Sequence, residues 1–188
     1  FRSLAYFISF FLLISCNNEP EWKYLFNGET LDGWEIKIRE HKIGENFKNT
    51  FKVHNGAIKV SYEEYDEFDK KFGHIFYVKE KFKNYHLSLD YKFSGSHLKG
   101  APGWSIKNSG IMLHCQDPHT MLIDQEFPVS SEAQLLGGLG EGERSTANMC
   151  SPGTDVDIDG SLAQYHCIKD RKSTRLNSSH LVISYAVF

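Results

Sequence analysis

Apolar residues recur at every second position in short runs along most of this chain, and the runs end at Gly, Asn or Asp. Side chains alternate faces along a strand, so the pattern predicts short, half-buried β-strands. Trp34-Glu35-Ile36-Lys37-Ile38 is the cleanest, with apolar residues expected inward and charges outward. Residues 22–26 read as a strand before it, and 27–33 as a turn with two glycines. Residues 51–60 read as strand, Asn55-Gly56 turn, strand, a strong hairpin signal because both turn positions need positive φ. A charged loop over 63–71 leads to strands over 72–78 and 86–93. In the second of these, Leu87, Leu89, Tyr91 and Phe93 oppose His86, Ser88, Asp90 and Lys92. Strands over 110–116 and 131–136 follow, and 149–159 reads as loop and edge strand. No segment has the period of an amphipathic helix of ten or more residues. Many short strands between Gly, Asn and Asp turns predict an all-β, antiparallel sandwich or barrel.

Two of these strands carry chemistry on one face. In 110–116, Ile111, Leu113 and Cys115 point one way, and Met112, His114 and Gln116 the other. In 131–136, Glu132 and Gln134 share a face opposite Ala133 and Leu135. Such a sheet buries one face and can offer the other to a polar ligand or simply to water.

The termini differ from the rest. Residues 1–15 contain one charge, Arg2, and an apolar run over 4–14 with the form of a signal-peptide core, too short to span a bilayer comfortably. Leu13-Ile14-Ser15-Cys16 resembles a bacterial lipobox, which predicts a lipidated Cys16, a tether over 16–21 and an exported lipoprotein held at the periplasmic or cell-surface side of a membrane. No initiator Met is present, so a preceding stretch is expected. Residues 171–188 have no acidic residue and resemble a translated sequencing artefact; they are expected to be foreign to the domain, against the alternative of a final strand over 181–188. All 24 Asp+Glu fall in 16–170, together with all Lys+Arg except Arg2, Arg171, Lys172 and Arg175, which leaves 17 against 24, net −7. This charge argues against a nucleic-acid partner. Of the four cysteines, Cys150 and Cys167 flank a short Pro/Gly/Asp-rich loop and are the expected disulfide pair in an oxidising compartment, while Cys115 reads as a buried thiol. No cysteine spacing suits zinc.

Leu25-Phe26-Asn27-Gly28-Glu29-Thr30-Leu31-Asp32-Gly33-Trp34 resembles the opening of the 3-keto-disaccharide hydrolase domain family. Gly73-His74-Ile75-Phe76-Tyr77, the stretch 85–93, Ala101-Pro102-Gly103-Trp104, Asn108-Ser109-Gly110-Ile111, Glu132-Ala133-Gln134-Leu135-Leu136-Gly137-Gly138 and the stretch 146–154 extend the resemblance in order over roughly 21–170. It implies a concanavalin A-like jelly-roll sandwich over 22–170, acting on oxidised carbohydrate (3-keto-glycosides) in exported proteins of carbohydrate-degrading bacteria. The family pattern runs on past Cys167, so a sandwich truncated on its C-terminal side, with an exposed sheet edge, is expected.

A ketone at sugar C3 acidifies the C2 proton; removing it gives an enolate, the C1 substituent leaves by β-elimination, and water adds back. This chemistry needs a base, an acid and a stabiliser for the enolate oxygen. Glu132 and His114 are the candidate base and acid, Gln134 and Asn108 the candidate hydrogen-bond donors, and Trp104 the candidate sugar platform. No spacing demands a metal, although a divalent cation held with the help of His114 and Glu132 could replace the donors. The plainer readings are that His114 bonds within its sheet and Glu132 is solvated. Trp22 and Trp34 read as core, and His54, His74 and His86 as structural or surface residues. Asp155, Asp157 and Asp159 before Gly160 alternate as a Ca²⁺ loop does but lack the full spacing. The competing function is a non-catalytic carbohydrate-binding module on the same sandwich.

Overall fold

The computed structural model describes residues 22–164, 167–168 and 186–187. In chain order the strands are β1 (Trp34–Ile38), β2 (Phe51–His54), β3 (Ala57–Val60), β4 (Gly73–Tyr77), β5 (Asn108–Leu113), β6 (Ser131–Leu136), β7 (Asn148–Cys150), β8 (Asp155–Ile158), β9 (Ser161–Gln164), β10 (Cys167–Ile168) and β11 (Ala186–Val187). Helix among the described residues is limited to single 3₁₀ turns at Phe47–Asn49, Gly103–Ser105 and Pro118–Thr120. The fold is all-β and antiparallel. One sheet runs β10-β7-β6-β5-β11, and β1-β4, β2-β3 and β8-β9 form two-stranded sheets. The described strands do not trace a complete jelly roll.

Two apolar clusters hold these layers. Ile36, Ile38 and Ile75 on one face of β1-β4 meet Phe51, with Trp34, Ile58 and Val60 packed around them. The β2-β3 hairpin that supplies Phe51 and Val60 turns through Asn55 (φ 50°) and Gly56 (φ 74°), the positive pair that an Asn-Gly turn favours. In the second cluster Ile111 of β5 and Leu135 of β6 are buried under Leu87, Leu89, Phe93 and Leu113.

Several expectations need correction. Residues 22–26 join no ladder, and Trp22 and Tyr24 are exposed, so Trp22 is not core. In residues 86–93, Leu87, Leu89 and Phe93 pack on β5 and β6 as alternation predicts, but Tyr91 is exposed and the backbone has no neighbouring strand among the described residues. The strand expected over 110–116 is β5, which stops at Leu113 because His114 turns into the left-handed region (φ 46°). Lys37, expected outward, is 2% exposed. Its Nζ donates to the carbonyls of Ile38 and Ile123, each at 3.0 Å, and burial lowers its pKa. The three alternating aspartates sit on and beside the β8-β9 hairpin, where Gly160 N donates to Asp157 Oδ1 at 2.8 Å. The segments 1–21 and 171–185 lie outside the described residues, and with them Cys16, the tether and most of the C-terminal stretch. Ala186 and Val187 pair with Ile111 and Gly110 of β5.

Candidate active site

The register of three neighbouring strands places the polar groups. Met112 lies opposite Glu132, Gly110 opposite Gln134, and Asn108 opposite Leu136. On the other side of β6, Cys150 lies opposite Glu132, and Asn148 opposite Gln134. Residues opposite each other share a face, so Asn108, Glu132, Gln134 and Asn148 stand together, away from the Ile111-Leu135 cluster.

Gly110 is what allows Glu132 to lie flat on this face. A Cβ built at Gly110 would be 2.0 Å from Glu132 Oε1 and 2.7 Å from its Cδ. The carboxyl thus rests over the β5 backbone, where any side chain would displace it. Its burial pushes its pKa up to about 7, because the charged form is deprived of water.

The loop before β5 supplies the rim. Trp104, 55% exposed, stacks on Phe72 with centroids 5.9 Å apart and planes 5° from parallel. Phe72 is braced in turn by Phe68 and Phe127, each with its ring centroid at 4.9 Å. The loop carbonyls are then tied down. Asn108 Nδ2 donates to Trp104 O (3.1 Å). Arg144 Nη1 donates to Ile106 O (2.5 Å) and Gly137 O (3.0 Å), and its Nη2 to Trp104 O (3.3 Å). One planar guanidinium therefore joins the rim loop to the end of β6. A cavity of about 2530 Å³ is lined by Trp104, Asn108, Glu132, Gln134, Arg144 and His74, among others.

His74 is 1% exposed, and its Nε2 lies 2.6 Å from Glu126 O. A carbonyl can only accept, so Nε2 carries the proton. Nδ1 is buried without a partner among the described residues, and burial pushes the imidazole pKa down to about 4. His74 is a neutral wall of the cavity.

The chain belongs to the 3-keto-alpha-glucoside-1,2-lyase-like domain family. A family profile of that description matches residues 21–178, a span that includes every residue of the cavity wall just named. No curated protein and no solved structure matches the chain.

In this lyase-like domain, four of the five residues singled out from the sequence meet at one cavity: Glu132, Gln134, Asn108 and Trp104. His114 does not join them. With β5 ended by its left-handed backbone, the exposed His114 lines a separate depression with Lys83, Asn84, Tyr85, His86 and Leu113, its ring 6.1 Å from that of Tyr85. It does not line the cavity that Glu132 lines, where an acid partner of Glu132 was expected. Among the described residues no three His, Cys, Asp or Glu are grouped to hold a metal ion. Asn108 spends its amide donor on Trp104 O, so it shapes the rim rather than presenting that hydrogen to a ligand. Cys150 and Cys167, paired across β7 and β10, are joined as a disulfide. Cys115 is a half-buried thiol whose pKa burial pushes up to about 12, which leaves it unreactive.

Sequence reasoning missed Arg144, Asn148 and the placement of His74. Only Gly110 carried a usable signal, since an isolated glycine inside a strand marks close approach of another group.

Proposed function

We propose that this domain cleaves 3-keto-glycosides by elimination followed by hydration, with Glu132 as the base. The observation that carries the reading is the Glu132 carboxyl: half-buried, laid over Gly110 in the cavity, and shifted by desolvation to a pKa of about 7. A base with that pKa is half ionised at neutrality, yet basic enough to take a proton that a ketone has acidified. In the proposed step Glu132 takes the C2 proton. The C2–H electrons form the enolate, the C1–O bond breaks, and the leaving oxygen takes a proton; water then adds across the enone. With His114 elsewhere, the proton held by Glu132 is the one available to the leaving oxygen. Gln134 supplies a hydrogen bond to the enolate oxygen, and Trp104 stacks on the sugar. The family name, which describes a lyase acting between positions 1 and 2 of a 3-keto-glucoside, supports this chemistry.

The test is release of free aglycone from a 3-keto-glucoside across a pH range. For the unsubstituted protein kcat/KM should rise with pH and level off above about 7, as Glu132 ionises. Glu132→Gln should lower kcat ~10²–10⁴-fold, the usual worth of a positioned base. Unchanged kcat would reject Glu132. The half-exposed Trp104 platform supports a second reading, a carbohydrate-binding module, which predicts sugar binding with no turnover in either protein.

We place the protein outside the cytoplasm, anchored through Cys16. The Leu13-Ile14-Ser15-Cys16 run and the disulfide support this. The mature amino-terminal peptide should carry the mass of acyl chains on Cys16, and an unmodified cysteine there would overturn the assignment.

A further inference from the structure

We infer that Asn148 is a positioning residue that turns the Gln134 amide so that its NH₂ faces the cavity, making Gln134 a donor to the substrate and never an acceptor. Which atoms can donate decides the orientation. Asn148 is 4% exposed, and one arm of its amide lies 3.3 Å from the carbonyl oxygen of Ser145 and 3.0 Å from an amide atom of Gln134. A backbone carbonyl only accepts, so the arm facing it is Nδ2. A single NH₂ then points at both groups, and the Gln134 atom it meets must be the oxygen. Gln134 Oε1 is thereby occupied, and its two Nε2 hydrogens are left for the cavity that Gln134 lines. Asn148 stands opposite Gln134 on β7, is 4% exposed and does not line the cavity, so it acts on a ligand through Gln134.

The surroundings hold this arrangement in place. Ala147 takes the left-handed conformation (φ 57°), which brings Ser145 O back toward the Asn148 side chain. Thr146 Oγ1 accepts from Leu136 N at 3.0 Å, and Arg144 fixes the start of the same segment. The opposite amide orientation would set Asn148 Oδ1 against the Ser145 carbonyl. The observed one leaves Oδ1 without a partner among the described residues, a cost accepted to keep Nδ2 on two acceptors. The segment 144–148 thus presents the donor that an enolate oxygen needs.

The orientation stands on geometry alone; its use in turnover rests on the elimination reading above. Two measurements separate them. In ¹⁵N/¹³C-labelled protein, through-hydrogen-bond coupling should run from Asn148 Nδ2 to the Gln134 side-chain carbonyl. Coupling from Gln134 Nε2 to Asn148 would overturn the inference whether or not the protein turns over any substrate. In the aglycone-release assay, Gln134→Glu should lower kcat ~10²-fold with KM little changed, because a carboxylate presents only acceptors where a developing oxyanion needs a donor. Full activity in Gln134→Glu would also overturn it. Asn148→Asp should lower kcat about as much and add no further loss in a Gln134→Ala background, since the two residues act as one unit. Losses that multiply would show that Asn148 acts apart from Gln134. Should the protein release no aglycone at all, the elimination reading fails and the coupling measurement still decides the amide orientation.

Discussion

At the scale of single residues, the site depends on an atom that is missing. Gly110 has ordinary strand geometry, so its value is space rather than backbone freedom: a Cβ there would overlap the Glu132 carboxyl. Gly110→Ala should lift that carboxyl off β5 into better solvated surroundings. The fold should survive with an overpacking cost of ~1–3 kcal/mol. The rate–pH curve should shift toward acid, with kcat reduced, as the carboxyl regains water. An unchanged curve, measured beside a thermal melt to show folding, would mean that Gly110 does not set the Glu132 environment. Glu132 and Gln134 were legible in the sequence because strand parity puts i and i+2 on one face. His114 was not, because parity holds only while the strand continues, and β5 stops one residue before it.

At the scale of elements, the sheet β10-β7-β6-β5-β11 holds the chemistry and the covalent staple side by side. Glu132 lies opposite Cys150, which lies opposite Cys167. The disulfide closes a loop with a sequence separation of 17, worth roughly 3 kcal/mol if it acts on the unfolded chain. Denaturant unfolding with and without reductant should differ by about that amount, and Cys150→Ser should match the reduced protein. Thiol counting that finds Cys150 and Cys167 both free in the oxidised protein would remove this account. The β2-β3 hairpin was readable because an Asn-Gly turn carries its own geometry, whereas the β8-β9 hairpin at Asp159-Gly160 was read only as loop and edge strand. The segment 86–93 shows the limit of such reading, since alternation reports a buried face and says nothing about whether a neighbouring strand exists.

At the scale of the whole molecule, two desolvated groups, the half-buried Glu132 and the buried His74, pull stability in opposite directions with pH. The Glu132 pKa is raised from 4.5 to about 7, so unfolding releases a proton between those values and this group's contribution falls as pH rises through that window. The His74 pKa is lowered from 6.5 to about 4, so its contribution is intact above 6.5 and is lost as pH falls toward 4. Each amounts to about 3 kcal/mol at full effect, by the usual 1.36 kcal/mol per pKa unit. Between pH 4.5 and 6.5 they offset each other. Glu132→Gln should uncover the His74 limb, giving a protein that loses stability on going from pH 6.5 to 4.5 more steeply than the unsubstituted one; parallel curves in denaturant titrations would contradict this. The sequence by itself determined the all-β class, the β2-β3 hairpin, the family, and the shared face of Glu132 and Gln134, because period and turn chemistry are local. Only the tertiary structure decided that Lys37 and His74 are buried, that Glu132 lies half-buried over Gly110, and that Arg144 and Asn148 brace the cavity. Those facts depend on contacts between strands and loops far apart in the chain, and local pattern carries no record of which distant segment will cover a given face.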